Sequence, residues 1–409
     1  MNLVTVNLDS IRIGSPLPFA LRNREGVLLA QKGFVPESRD YLHAVLGRGS
    51  DFFIDVNESD TAHRAYMGKL YDLVREDKPL GKIAGAQMVS SDLATLRDEG
   101  DDTPDWLDLQ IQANTALRET NPLHFAQRLE RLTRKLNSYA VRNPDGTLFA
   151  LIHLSATEIR LFSATHAMTV MVMCALAARE VLNWPEHEVA ALSNAALTMN
   201  LGMTELQDRM AQQDEPPNPS QRRQIDEHAD RSAHLLWQLG ITDPLWLEAV
   251  REHHTKVPGP LAGRTDGNRL ARLIQRADMF SARLAPRGKR VPTAPATAMQ
   301  ACYFDEERKI DEAGAALIKA VGIYSPGSFV KLASNEIAIV IRRGANTTTP
   351  RVAILVNRSG MPTGELIVRD TSQRDFRITA SVPHREVKVK INLERLLALT
   401  ATAPSDRYW

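Results

Sequence analysis

The sequence predicts a mainly α protein. A helical bundle sits in the middle of the chain, a small α/β module precedes it and a β extension follows it. Three observations carry this expectation. Apolar residues recur every three or four positions from about 113 to 285, the spacing of an amphipathic helix. After about 322 the pattern changes to short alternating or β-branched runs between turns. Within the first 60 residues, two apolar runs flank N-R-E-G, the pattern of a hairpin.

The elements follow in order. L-P-F-A-L-R-N-R-E-G-V-L-L-A (17–30) supplies the hairpin, and P-E-S-R-D-Y-L-H-A-V-L (36–46) has helical spacing, so 1–60 reads as the N-terminal module. Residues 61–120 are more polar and form a helical linker region, with a loop at E-G-D-D-T-P-D (99–105). The bundle covers 121–325. N-P-L-H-F-A-Q-R-L-E-R-L-T-R-K-L opens it, N-P-D-G (143–146) is a turn, and 156–182 is a long apolar helix. Pro185 suits the first position of the next helix, with acids in its first turn. D-E-P-P-N-P-S (214–220) is a loop, and Asp243 caps a helix that starts at Pro244. In the extension, 326–409, five strands are expected from S-F-V-K-L-A, E-I-A-I-V-I, R-V-A-I-L-V, G-E-L-I-V and E-V-K-V-K-I.

Bulk composition narrows the function classes. The 409 residues are 43% hydrophobic and 24% charged, which is ordinary globular composition. The net charge of +1 exerts no global pull toward a nucleic acid polymer or a membrane. A local basic run, Arg269, Arg272, Arg276, Arg283, Arg287, Lys289 and Arg290 against Asp278, reads as a solvated helix face and loop. Two cysteines, Cys174 and Cys302, do not make a disulfide framework. The N-terminus lacks the basic and apolar regions of a signal peptide. The longest apolar run, 167–178, is shorter than the ~20 residues that cross a bilayer. A cytoplasmic protein is expected.

His166, His228, the adjacent pair His253–His254, and Asp278 are the candidate metal ligands. Imidazole and carboxylate together suit divalent iron, manganese or zinc. They fall in four of six informative stretches: S-A-T-H (163–166), A-L-T-M-N-L-G-M (196–203), D-E-H-A-D-R-S-A (226–233), A-V-R-E-H-H (249–254), A-R-L-I-Q-R-A-D-M-F-S-A (271–282) and V-G-I-Y-S-P-G-S-F-V-K-L (321–332). Together these resemble the HD-GYP family, bacterial metal-dependent phosphodiesterases that hydrolyse cyclic di-GMP, over about 150–335. The resemblance implies an HD-type helical bundle. It assigns His166 to the first histidine ligand, His228 to the histidine after the central loop, His253 and His254 to the histidine pair, and Asp278 to the late aspartate.

The departures are equally specific. Met199 and Asn200 stand where the family places its His–Asp pair, Met203 replaces a substrate-contacting Lys, and Phe162 replaces the Glu of trinuclear members. T-K-V-P-G-P-L-A-G-R-T-D-G-N (255–268) replaces the G-Y-P loop. A two-metal site clamps the attacking and leaving oxygens between ions ~3.5–4 Å apart. Asn200 is neutral, and two such cations without a bridging anion repel. Met199 is a soft ligand poorly matched to a hard divalent ion. The dinuclear site is therefore not expected. Three outcomes stay open: one zinc-like ion on His228, His253 and His254; histidines satisfying polar contacts in a closed pocket lined by Met199, Met203 and Phe162; or ligand binding without metal.

The resemblance and the departures together point to a degenerate, non-catalytic signalling protein that binds cyclic di-GMP or a protein partner. The alternative is an active phosphodiesterase with an altered site, in which Glu205 or Asp208 replaces the missing carboxylate. In a third reading the bundle is only a scaffold and the terminal units bind. N-R-S-G-M-P (357–362) only partly matches the D/N-x-S-x-x-G pattern of cyclic di-GMP-binding PilZ modules, because it lacks the final Gly.

Overall fold

The computed structural model describes residues 104–157, 159, 161–284, 293–389 and 391–401, with short pieces of the first hundred (3–6, 17, 20–25, 27–30, 34, 52–55 and 79). Contacts divide the chain into two units, Met1–Asp108 and Leu109–Trp409.

In the first unit, β1 (Leu3–Val6), β2 (Leu21–Arg22), β3 (Leu28–Ala30) and β4 (Phe52–Asp55) form an antiparallel sheet in the order β1-β4-β2-β3. The expected hairpin is β2–β3. The Asn23 side chain closes its turn by accepting from the backbone N–H of Glu25 (3.1 Å) and Val27 (2.8 Å). The helix expected over 36–46 and most of 61–103 lie outside the described residues.

The second unit is helical, as the period of its apolar residues requires. Helix α1 (Trp106–Ala116) leads to α2 (Pro122–Arg142). Asn121 caps α2, and Phe125, Leu129, Leu132, Leu136 and Ala140 bury one face. N-P-D-G is not a turn between separated elements. Asn143 ends α2, and its side chain accepts from Gly146 N–H (2.9 Å) to cap α3 (Pro144–Thr157). The apolar helix starts later than expected, at Phe162. Every residue of α4 (Phe162–Leu176) is buried, and a π turn, Ala177–Val181, extends it. By length and composition, Phe162–Val181 could cross a membrane, but 94% of its most apolar 18-residue window is buried inside the protein, where it forms the centre of the bundle.

Around it pack α5 (Glu186–Thr198), α6 (Thr204–Gln212), α7 (Pro219–Asp226), α8 (His228–Gln238), α9 (Pro244–Glu252), α10 (Asp266–Leu284), α11 (Pro295–Tyr303) and α12 (Glu312–Val321). Pro185 is the N-cap of α5, one position before the first helical residue. Asp243 caps α9 as expected, accepting from Leu245 and Trp246 N–H. The basic run is not a solvated face throughout. Arg272 and Arg276 are 2% exposed and ion-paired with Glu306 and Asp311. They occupy the inner face of α10, and acids brought in from the loop before α12 neutralise them.

The C-terminal sheet has the order β8-β7-β6-β5-β9, built from β5 (Phe329–Leu332), β6 (Ile337–Arg342), β7 (Arg351–Val356), β8 (Val368–Asp370) and β9 (Ile378–Val382). Five strands were expected, but the fourth starts only at the end of G-E-L-I-V, at Val368, and the fifth is I-T-A-S-V. E-V-K-V-K-I follows Pro383 and begins in a 3-10 turn, because β9 already occupies the edge of β5. A final helix, α13 (Leu393–Ala398), closes the region. Phe149 of α3 joins Phe329, Ile339, Ala353, Leu355 and Leu396 in one core, so bundle and sheet share an interior. Gly327, at φ +88°, makes that seam possible; a Cβ there would lie 2.8 Å from the Phe149 carbonyl oxygen.

Candidate metal centre

Two helix ends supply the site. His228 opens α8 and His253 follows the last residue of α9, with His254 next to it. His228 Nδ1 lies 2.5 Å from the Ile225 carbonyl, and His253 Nδ1 lies 2.6 Å from the Val250 carbonyl. Each histidine thus uses the carbonyl three residues before it. A carbonyl only accepts, so both protons are on Nδ1 and both Nε2 atoms carry bare lone pairs.

These lone pairs meet. His228 Nε2 is 3.2 Å from His253 Nε2 and 3.2 Å from His254 Nε2. One ring nitrogen from each of the three lies within 4.8 Å of the others. No proton is left to bond His228 to His253, so that approach is acceptor against acceptor. A cation relieves it. Nitrogens at about 2.0–2.1 Å from a tetrahedral zinc lie roughly 3.3 Å apart, close to the spacing of His228 to each of its two neighbours. Burial pushes His228 down to about 4 and His253 down to about 3, which keeps both neutral at pH 7, the form that ligates. The cluster therefore fits a divalent metal ion.

His166 and Asp278 form a separate pair beside it. His166 Nε2 bonds to Asp278 Oδ1 (2.7 Å) and Nδ1 to Ser281 Oγ (3.0 Å), so both ring nitrogens are used. Phe162 stacks on the ring at 5.4 Å between centroids. Burial opposes the charge of Asp278, but the His166 hydrogen bond and the nearby imidazoles outweigh it and hold the carboxyl well below the usual range. Of the five residues expected as ligands, the structure gathers His228, His253 and His254. It commits His166 and Asp278 to each other.

The replaced positions are equally clear. Met199 is fully buried and Met203 half-buried. Asn200 is 8% exposed, and its Oδ1 is buried without a hydrogen-bond partner among the described residues. Two residues on, Gly202 N–H donates to Ser232 Oγ (2.9 Å), one helical turn along α8 from His228. Neither acid considered as a substitute is free for that role. Asp208 accepts from Ser163 N–H (2.7 Å) and from Arg118 (2.5 Å), which fixes it at the start of α4. Glu205 has a side chain 71% exposed and faces Arg118 and Arg209. Sequence reasoning missed the two i−3 carbonyls and Ser281. Only Ser281, three residues after Asp278 on a helix, left a legible signal.

No known family profile matches the chain. It is similar to a cyclic di-GMP phosphodiesterase of Pseudomonas aeruginosa, 22% identical over 243 residues, which cover 58% of this chain and 58% of that protein's length. Among solved structures it is similar to an HDG"Y"P protein from Bdellovibrio bacteriovorus, with a TM-score of 0.42 and 15% identity, over 77% of this chain and 98% of the other.

Proposed function

We propose that this HD-GYP-like relative works in cyclic di-GMP-type signalling in the cytoplasm of a bacterium without turning over its ligand. In this reading its two-metal centre is reduced to one site for a single divalent ion, on His228, His253 and His254. The observation that carries the reading is the state of the carboxylates. The bridging position holds Asn200, and Asp278 is bonded to His166 at 2.7 Å. Two divalent ions ~3.5–4 Å apart need an anion between them, and no carboxylate is among the gathered ligand atoms.

A metal bound here would supply Lewis-acid polarisation or a structural anchor. Three neutral nitrogens suit zinc best among zinc, iron and manganese. The chain's own residues hold the Nδ1 protons of His228 and His253 on carbonyls and leave those two Nε2 lone pairs, with the third nitrogen from His254, to face a cation. Cyclic di-GMP or a signalling protein is then the partner, and binding rather than hydrolysis is the output.

The test is hydrolysis of cyclic di-GMP by protein loaded anaerobically with iron(II) or manganese(II), followed by chromatography. No pGpG or GMP is expected over hours at high protein concentration. Product that disappears in His253→Ala would overturn the proposal in favour of an active phosphodiesterase with an altered site.

A further inference from the structure

His254 differs from its two neighbours. His228 and His253 are each steered by a hydrogen bond on the far ring nitrogen. Among the described residues, the ring hydrogen-bond contact of His254 is its Nε2 approach to His228, and the residue is exposed. Its backbone is fixed one residue later. Thr255 N–H donates to the Glu252 carbonyl (2.8 Å), and the Thr255 carbonyl accepts from Gln275 Nε2 (3.0 Å).

Gln275 is itself held. It is 5% exposed on α10, and its Oε1 accepts from Arg272 Nη1 (2.7 Å). An arginine only donates, so this contact settles which end of the amide faces Thr255. Arg272 spends its remaining donors on Asp311 (2.8 and 2.6 Å) and Glu306 (3.0 and 2.8 Å), which satisfies all five N–H groups of the fork. Asp311 also caps α12, accepting from Gly314 N–H at 2.8 Å. A buried chain of charge-assisted bonds therefore runs from the start of α12 through Arg272 and Gln275 to the backbone that carries His254.

We infer that Gln275, oriented by Arg272, is the positioning residue that sets His254 as the third nitrogen of the metal centre. The inference rests on the metal reading above. The work of orienting a ligand is done here through the main chain, not through the ring. Groups that orient ligands typically change metal affinity about 10–100-fold when removed. Gln275→Glu is the sharpest change. It keeps an acceptor for Arg272 and sets a carboxylate oxygen against the Thr255 carbonyl.

The experiment is cobalt(II) titration of the full chain, read by the visible d–d absorption of a tetrahedral site. The unsubstituted protein is expected to take one equivalent with tetrahedral bands. Gln275→Glu is expected to bind at least about 10-fold more weakly, with bands weakened as His254 leaves the coordination. In a His254→Ala background the same change is expected to have no further effect on affinity, because both act at one ligand. Additive losses overturn the inference, since they would make Gln275 a general prop of the fold. Equal affinity and spectrum in Gln275→Glu also overturn it. No cobalt uptake by the unsubstituted protein overturns the metal reading itself, and the inference with it. Should Gln275→Glu not fold, Gln275→Met removes the same donor without adding charge and is read in the same way.

Discussion

The two histidine groups of this bundle lie close together and solve opposite problems. In one, His166 meets Asp278 and Ser281, and each ring nitrogen faces a group of matching hydrogen-bonding character. In the other, the ring nitrogens of His228, His253 and His254 converge, with the bare Nε2 atoms of His228 and His253 facing at 3.2 Å and His254 Nε2 also 3.2 Å from His228. The first is closed and has no use for an ion. The second is incomplete as a set of protein groups, and a cation completes it. Residue type does not separate them, since both groups are built on imidazoles. What separates them is where the protons are held. Carbonyls at i−3 strip the facing nitrogens of hydrogen in one group, whereas a carboxylate accepts it in the other.

The strongest way to break this comparison is to remove His253. His253→Ala deletes a ligand outright, so metal affinity should fall by more than about 100-fold, beyond the range expected for groups that only orient ligands. Isothermal titration with zinc measures it. His166→Ala should leave zinc binding within a few-fold of normal, because His166 lies outside the three-nitrogen group. Equal losses in the two variants would mean that both groups belong to one centre.

Restoring the bridge comes next. Asn200 carries a buried Oδ1 with no hydrogen-bond partner among the described residues, so Asn200→Asp adds a charge at a buried position with nothing there to pair it. It should lower the stability of the metal-free protein by a few kcal/mol and raise manganese uptake. The paired change Met199→His with Asn200→Asp should take up a second equivalent, measured by elemental analysis. A single equivalent in that variant would show that the His166–Asp278 pair stays shut even when a bridge is available.

Much of this was legible in the residues and some was not. Helix positions followed from apolar spacing, as in α2, because burial of one face dictates that period. The caps Asn121 and Asp243 follow from unsatisfied N–H groups at helix starts. The fifth C-terminal strand was misplaced because alternation in E-V-K-V-K-I says nothing about which partner edge is free. Arg272 and Arg276 looked solvated because their acids, Glu306 and Asp311, lie more than 25 residues away in sequence. The five candidate ligands were named together, yet spacing alone could not divide three from two. That division depends on Ser281, the i−3 carbonyls and the Asp278 geometry, which are tertiary facts.

Acid separates the two groups by pH window. Folding depresses His228 to about 4 and His253 to about 3 from the ordinary 6.5, so the folded state binds fewer protons than the unfolded chain. Their contribution is complete above about pH 6.5 and is lost as pH falls toward 4, on the order of 3 kcal/mol for His228. Asp278 is also depressed, so its contribution is present above the ordinary carboxylate value and is lost only below it. His384, half-buried beside His153 and pushed down to about 3, shares the histidine window, as does His153, itself lowered by burial. Urea unfolding between pH 7 and 5 is therefore best run on His384→Phe. Saturating zinc should flatten the slope that remains. A slope unchanged by zinc would detach it from the three-nitrogen group.

The smallest expected effect tests the closed group on its own terms. Ser281→Ala leaves His166 Nδ1 without its partner at 3.0 Å, while the Asp278 bond and the Phe162 stack remain. Removing one neutral hydrogen bond at a buried site costs about 1 kcal/mol, so the midpoint of thermal unfolding should drop by a few degrees and zinc affinity should not move. The reason for the second half is structural. Ser281 lies one turn beyond Asp278 on α10, its contact is with His166, and His166 contributes no nitrogen to the three that converge. A change in zinc affinity after Ser281→Ala would therefore show His166 and the metal corner reading each other through Asp278, whose charge already acts on His228 and His253. The closed pair would then be an electrostatic neighbour that tunes the open one.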